Sequence, residues 1–384
     1  MMWKKKGFVK RMKRPFLKVL NFCFSVVPVK NSRVFFISFY GKSYSDNPKA
    51  ISIALYEKYG SQFEHIWVID QPVDLPPYIK TCRYKSIKML YYLCTSKIWV
   101  SNFCMSKGTY KKKSQFYIQT WHGDRGFKYI LNDVPGKHDY IYETAHADLM
   151  TCGSDFGEKY YYRGGFRYQG EIAKIGCPRN DIFFKETSVL QDEIREKYHL
   201  ASTDHIVMFA PTYREKYKKE EQQVTFDFSK VIRILTEVTH EQWKILVRSH
   251  ISNSKCGFSL DYNDNIISVT DYPDMNELLQ ITDILISDYS SAIGDFALSG
   301  RMCLLYQDDV EEYTKGDRGL IFNITKSPFL RCSTPDELYD LLSNYNNIDI
   351  QANCKAINRF YGSFEDGNAS IKMSDIIYNR VYAQ

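Results

Sequence analysis

The sequence lacks the marks of several protein classes. None of its ten cysteines falls in a C-x-x-C pair and its eight histidines do not cluster, which argues against a zinc site. No signal-peptide apolar region or cleavage site precedes the body, so the thiols are expected to be reduced and cytosolic. No G-x-x-x-x-G-K-[ST] loop occurs, which disfavours a P-loop NTPase. No G-x-G-x-x-G follows a strand, which disfavours a dinucleotide dehydrogenase. There is no internal repeat and no low-complexity linker. Acids are missing altogether from residues 1–45, which hold eleven of the 51 Lys and Arg. The other forty basic residues stand against 45 acids, so the net charge of +6 belongs to the first segment. A folded body without a basic surface is not a general nucleic-acid binder.

A chain of 384 residues has room for two domains of ordinary size, each with its own core. Charged residues are 25% and hydrophobic residues 44%, a globular composition. Residues 1–30 read as a basic amphipathic segment. Phe8, Met12, Phe16, Val19, Leu20 and Cys23 recur at steps of three or four, one helical face, and Pro15 breaks it. The apolar run Phe16–Val29 is interrupted by Lys18 and Asn21. It falls short of the roughly 20 apolar residues of a spanning helix. An anionic cytoplasmic leaflet is the partner such a segment fits, peripherally; a solvated basic tail is the alternative.

From Arg33 onward, short apolar runs alternate with helical patterns. Val34–Ser38, His65–Ile69, Ile98–Ser101, Phe116–Gln119, Leu149–Cys152 and Ala173–Ile175 read as strands. Helices are expected over Pro48–Tyr59, Ile87–Cys94, Asp139–Ala147 and Ser154–Tyr162. The second half repeats the style, with strands at Ile206–Ala210, Lys244–Val247, Ile266–Val269, Ile284–Ser287 and Cys303–Tyr306. Helices are expected there over Phe228–Val238, Met275–Ile281, Ser291–Leu298, Pro335–Tyr345 and beyond Asp366. This is an α/β pattern of two doubly wound parallel sheets. We expect residues 31–180 and 181–384 to form two Rossmann-like domains facing a ligand crevice.

Ligands of open α/β sheets bind at the carboxyl ends of strands. Four strand ends in the second domain and at its border offer anion donors. Gly176–Asp181 carries Arg179. Phe209–Arg214 carries Thr212 and Arg214. Leu246–His250 carries Arg248 and His250. The fourth, Asp288-Tyr289-Ser290-Ser291, precedes a helix, where hydroxyls and unpaired N–H groups suit a pyrophosphate. In the first half, Gln119-Thr120-Trp121-His122-Gly123 ends a strand, and His122 is a candidate general base. Asp288 reads as a local hydrogen-bond acceptor rather than a metal ligand. No obligatory protein-bound metal or cofactor is expected.

QTWHG, GCPRND, APTYR, LVRSH, ISDYSSAIGDFALSGR, DVEEYTKGDRG (309–319) and FEDGNAS (364–370) occur in this order. The set resembles the CDP-glycerol glycerophosphotransferases, over about residues 100–375. The resemblance implies a GT-B fold and transfer of polyol phosphate from CDP-glycerol or CDP-ribitol, with release of CMP. It implies a lipid-linked glycan or polymer acceptor, in teichoic acid or related synthesis, at the cytoplasmic face of the bacterial membrane. It makes His122 the base, and places His250, Ser290 and Ser291 on the donor phosphates. Arg179, Arg214, Arg248, Thr212 and Arg318 are expected to assist. Where the family commonly has Thr-Pro after W-H-G, Asp124-Arg125 stand here, a departure expected to bear on the acceptor or polyol. A GT-B glycosyltransferase using a nucleotide sugar would place its donor in the same seat.

Overall fold

The computed structural model describes residues 24, 26–106, 109–134, 142–212, 224–249, 260–316 and 319–383. Most of the basic segment expected at residues 1–30 therefore lies outside the described residues.

Seven parallel strands form the first sheet: β1 (Lys30–Ile37), β2 (Glu64–Val68), β3 (Ile79–Cys82), β4 (Ser96–Ser101), β5 (Phe116–Gln119), β6 (Leu149–Cys152) and β7 (Glu171–Lys174). Their order is β3-β2-β1-β4-β5-β6-β7. Val34, Phe35 and Phe36 are all buried, so both faces of β1 are covered. That is the signature of a parallel sheet between two helical layers. Val34 sits level with His65 on one side and Ile98 on the other.

The second sheet holds β8 (His205–Phe209), β9 (Trp243–Val247), β10 (Ile266–Ser268), β11 (Ile284–Ser287), β12 (Met302–Tyr306) and β13 (Leu330–Cys332), in the order β10-β9-β8-β11-β12-β13. All its pairings are parallel too. The winding reverses between β1 and β4 in one sheet and between β8 and β11 in the other. Crevices for ligands open at such reversals.

One apolar cluster bridges the sheets. It joins Trp121, Phe127 and Phe156 of the first half to Ile293, Phe296 and Tyr361 of the second. The helix Ala369–Tyr382 then crosses back to the first sheet. Its Met373 and Ile377 pack with Val34, Phe36 and Ile51, and Tyr378 stacks on Tyr59 at 4.4 Å. The first sheet ends at Lys174 and the second begins at His205, while this helix from the end of the chain joins the first. Two edge strands, β3 and β13, and the helix Ile350–Tyr361 add to the expected elements. The stretch Gly157–Gly165 winds as a π-helix rather than the α-helix expected near it.

Candidate active site

The loop after β5 is built under constraint. Trp121 takes a left-handed backbone, φ 53°. Its N–H donates to Gln119 Oε1 at 2.8 Å, and its carbonyl accepts from Asn47 Nδ2 at 3.0 Å. His122 follows, stacked on Phe103 with centroids 5.2 Å apart and planes 5° from parallel. Its Nδ1 lies 2.7 Å from the main-chain carbonyl of Asn102. A carbonyl can only accept, so Nδ1 carries a hydrogen, and in the neutral ring the lone pair is then on Nε2. The Asn102 side chain is buried and held from β1: it accepts from the Phe39 N–H at 2.9 Å and donates to Ser38 Oγ at 3.1 Å. Sequence reasoning missed Asn102. Its only signal was a polar residue directly after an apolar strand.

The loop after β11 faces this one. Asp288 accepts from the Thr212 N–H at 2.7 Å and from the Tyr289 N–H at 2.5 Å, a local acceptor as its place before a helix suggests. Ser290 Oγ accepts from the Ala292 N–H at 3.3 Å, and Ser291 opens the helix Ala292–Phe296. The two loops touch. A Cβ added to Gly123 (φ 149°) would lie 2.2 Å from Ser291 Oγ, so only glycine allows this approach. His122 is thereby one residue from a direct contact with the serine pair. The Gly123–Ser291 approach puts the loop of His122 against the loop of Asp288, Ser290 and Ser291, to which the Asp288 hydrogen bond joins Thr212. Arg248 lies deeper: its Nη1 donates to the Tyr272 carbonyl at 2.9 Å, and burial pushes its pKa down. His250, Arg214 and Arg318 lie outside the described residues. Among the described residues no cluster of three metal-ligating side chains occurs.

Arg179 is engaged by two acids. Its guanidinium lies 2.7 Å from Asp46 and 2.6 Å from Asp295, buried between the domains. Both ends of the fork are taken by carboxylates, so its charge is already matched. The pairing ties the domains together, and Nη2 also lies 3.3 Å from where a Cβ on Gly123 would stand, beside Ser291. Asp124 and Arg125, expected to bear on acceptor or polyol, are likewise fully buried. Asp124 accepts from the Gly153 N–H at 2.7 Å. Arg125 donates to Asn358 Oδ1 at 3.1 Å and to Ser363 Oγ, and lies 3.5 Å from Glu365. They belong to the seam between the domains.

Two of the motifs meet in that seam. Glu365 accepts from the Cys177 N–H at 3.1 Å and from Asn180 Nδ2 at 2.9 Å. Asp181 accepts from the N–H groups of Ala369 and Ser370 at 2.9 and 2.7 Å, which seats the crossing helix. Burial pushes the Glu365 carboxyl up to about 8; Arg125 and Asn180 oppose the rise, and Asp124 and Asp295 add to it. GCPRND and FEDGNAS are therefore joints of the fold.

Two parallel-sheet α/β domains whose carboxyl edges meet where Gly123 approaches Ser291 make a GT-B type fold. The chain belongs to the CDP-glycerol:poly(glycerophosphate) glycerophosphotransferase family, matching it over residues 19–379. It is 29% identical over 376 residues to the teichoic acid poly(glycerol phosphate) polymerase of Staphylococcus epidermidis, covering 93% of this chain and 52% of that protein. It thus spans about half the length of that relative. The teichoic acid poly(glycerol phosphate) polymerase of Bacillus spizizenii is 28% identical, with 91% of this chain and 92% of that protein covered. The solved structure of the wall teichoic acid polymerase TagF superposes with a TM-score of 0.84 at 27% identity, covering 99% of this chain and 98% of that one. A TagF histidine-to-asparagine variant soaked with CDPG superposes with a TM-score of 0.82.

Proposed function

We propose that this chain transfers glycerol phosphate from CDP-glycerol to an acceptor hydroxyl. The observation that supports the reading is the approach of Gly123, the residue after His122, to Ser291. The relatives named for poly(glycerol phosphate) favour glycerol over ribitol as the polyol. The acceptor oxygen attacks the β-phosphorus. The bond from that phosphorus to the oxygen shared with the α-phosphorus breaks, and CMP leaves. The acceptor proton passes to Nε2 of His122. Such a reaction asks the protein chiefly for positioning and charge neutralisation. Ser290 and Ser291 supply part of that. His250, Arg214, Arg248 and Arg318 join the proposal on sequence grounds, Thr212 by its place beside Asp288. The test is incubation with radiolabelled CDP-glycerol, CDP-ribitol and UDP-sugars, with CMP or UDP release measured. Turnover of a UDP-sugar alone would overturn the reading in favour of a glycosyltransferase.

The acceptor in this proposal is a lipid-linked glycan or polymer at the cytoplasmic face of the membrane. No helix among the described residues is long and apolar enough to cross a bilayer. Residues 1–28 hold eight Lys and Arg, with Trp3, Phe8 and Phe16 and no acid, and are proposed as a peripheral anchor. Co-sedimentation with anionic vesicles, lost on deletion of residues 1–28, is the expected outcome. Equal binding by the truncated protein would place the contact in the folded body.

A further inference from the structure

The carboxyl edge of the first sheet carries a row of rings that the transfer chemistry leaves unused. Phe103, after β4, stacks on His122. Tyr40, after β1, lies 4.5 Å from Phe103, centroid to centroid. Tyr84, after β3, lies 5.5 Å from Tyr40. The Nζ of the exposed Lys85 stands 5.0 Å from the centre of the Tyr84 ring. Phe103, Tyr40 and Tyr84 are all half-buried. The row thus leaves the base, crosses the reversal between β4 and β1, and reaches a cation at the rim.

The backbone under this row is strained. Among the described residues nine non-glycine residues have positive φ, and four of them are here: Phe39 (45°), Tyr40 (61°), Lys85 (59°) and Trp121 (53°). Such conformations persist only where the surroundings over-determine them, and they gather at functional sites. The surroundings do so here. Asn102 holds the Phe39 N–H, the Gly41 carbonyl accepts from the Asp70 N–H at 2.9 Å, and Asp70 Oδ1 accepts from the Tyr84 N–H at 2.6 Å. A core could fill the same volume with unstrained aliphatic side chains. Half-open rings on fixed turns suit a surface that stacks against a ligand.

Resting on the activity proposed above, we infer that Phe103, Tyr40 and Tyr84 form the acceptor subsite. Its occupant is a pyranose ring whose C–H face lies on Tyr40 and whose phosphate side faces Lys85. A glycerol phosphate unit has no ring face to offer, so the subsite favours a sugar at the acceptor end. The donor is not the occupant, because its serine seat lies in the second domain, against Gly123.

The test uses the full chain with CDP-glycerol and two synthetic acceptors on the same prenyl-pyrophosphate lipid: a disaccharide, and an oligo(glycerol phosphate). Tyr40→Leu and Tyr84→Leu should raise the KM for the disaccharide several-fold to about tenfold. The KM for CDP-glycerol and for the oligo(glycerol phosphate) should stay put, and Tyr40→Phe should restore the disaccharide KM. Equal losses on both acceptors, a raised CDP-glycerol KM, or no change at all would overturn the subsite. If Tyr40→Leu does not fold, the rim variant Tyr84→Leu carries the test. Wild-type protein transferring to neither acceptor would overturn the activity itself, an outcome distinct from wild-type transfer with indifferent tyrosine variants.

Discussion

The two sheets share one winding scheme and present opposite chemistry at matching edges. The first sheet's edge is aromatic and strained, with Phe39, Phe103 and Trp121 around one imidazole. The second sheet's edge is polar and relaxed, with Thr212, Asp288, Ser290 and Ser291 arranged about helix and strand ends. Among its described residues up to Tyr306, only His240, at a helix end far from the edge, has a positive φ outside glycine. The fold therefore supplies only the place, and the loops supply the function. Rings and strain suit a site that orients an acceptor and its base. Hydroxyls and N–H groups suit one that receives a dianionic leaving group.

The sharpest way to break this comparison is to remove the base. His122→Ala should lower turnover about 10²–10⁴-fold with little change in donor affinity. Near-normal turnover would move the base elsewhere. The matching change on the other edge is the double replacement of Ser290 and Ser291 by Ala. Hydrogen bonds to charged groups contribute about 1.5–3 kcal/mol each, so calorimetry should show CDP-glycerol binding weakened at least about tenfold. Unchanged affinity in a folded variant would place the phosphates away from the serines.

A smaller effect should follow from loosening the base without removing it. Asn102→Ala frees the carbonyl that fixes the His122 tautomer. Turnover should fall about tenfold, since small misplacements near the chemistry are costly. The ¹⁵N shifts of the His122 ring should then report a mixture of tautomers. A single unchanged tautomer would show that the carbonyl is held without the Asn102 side chain.

The smallest expected effect concerns the seam between the two edges. Glu365 has its carboxyl raised to about 8 in the folded protein against 4.5 for an ordinary glutamate. Its contribution to stability is complete below the ordinary value and is lost as pH rises through about 8. The thermal midpoint of the wild type should therefore fall by a few degrees from about pH 6 to about pH 9. Glu365→Gln should flatten that slope. Equal slopes in scanning calorimetry would assign the titration to another group.

Much of the architecture was legible because buried parallel strands are unbroken apolar runs, as in Val34-Phe35-Phe36 and Ile284-Leu285-Ile286. Two of the four edge strands, β3 and β13, were not. In β3 Lys80 and Thr81 are exposed, and an edge needs no apolar face on both sides. The helix Ile350–Tyr361 hid behind Asn353, Lys355 and Asn358, although Asp349, which caps the Ala352 N–H at 2.9 Å, was a readable start signal. At the site, residues on strand ends could be picked out because the fold dictates where ligands sit. Which of them are neutralised could not. Arg179 finds Asp46 and Asp295 across 133 and 116 residues of sequence, and no local pattern announces such a pairing. The same distance hid the burial of Asp124 and Arg125, whose partners Gly153, Asn358 and Ser363 come from three separate elements.

The helix Ala369–Tyr382 has a consequence for how the protein is made. A ribosome finishes the seven strands of the first sheet at Lys174 and reaches Ala369 only after the ~200 residues between, on the order of 10–40 s later. During that interval Val34, Phe36 and Ile51 lack the Met373 and Ile377 that cover them, and the Asp181 carboxylate lacks the helix it seats. The first sheet is thus begun first and completed after the second. Vectorial synthesis cannot deliver the two domains one after the other as finished units, and the nascent chain exposes an apolar strip for which a chaperone is the natural temporary cover.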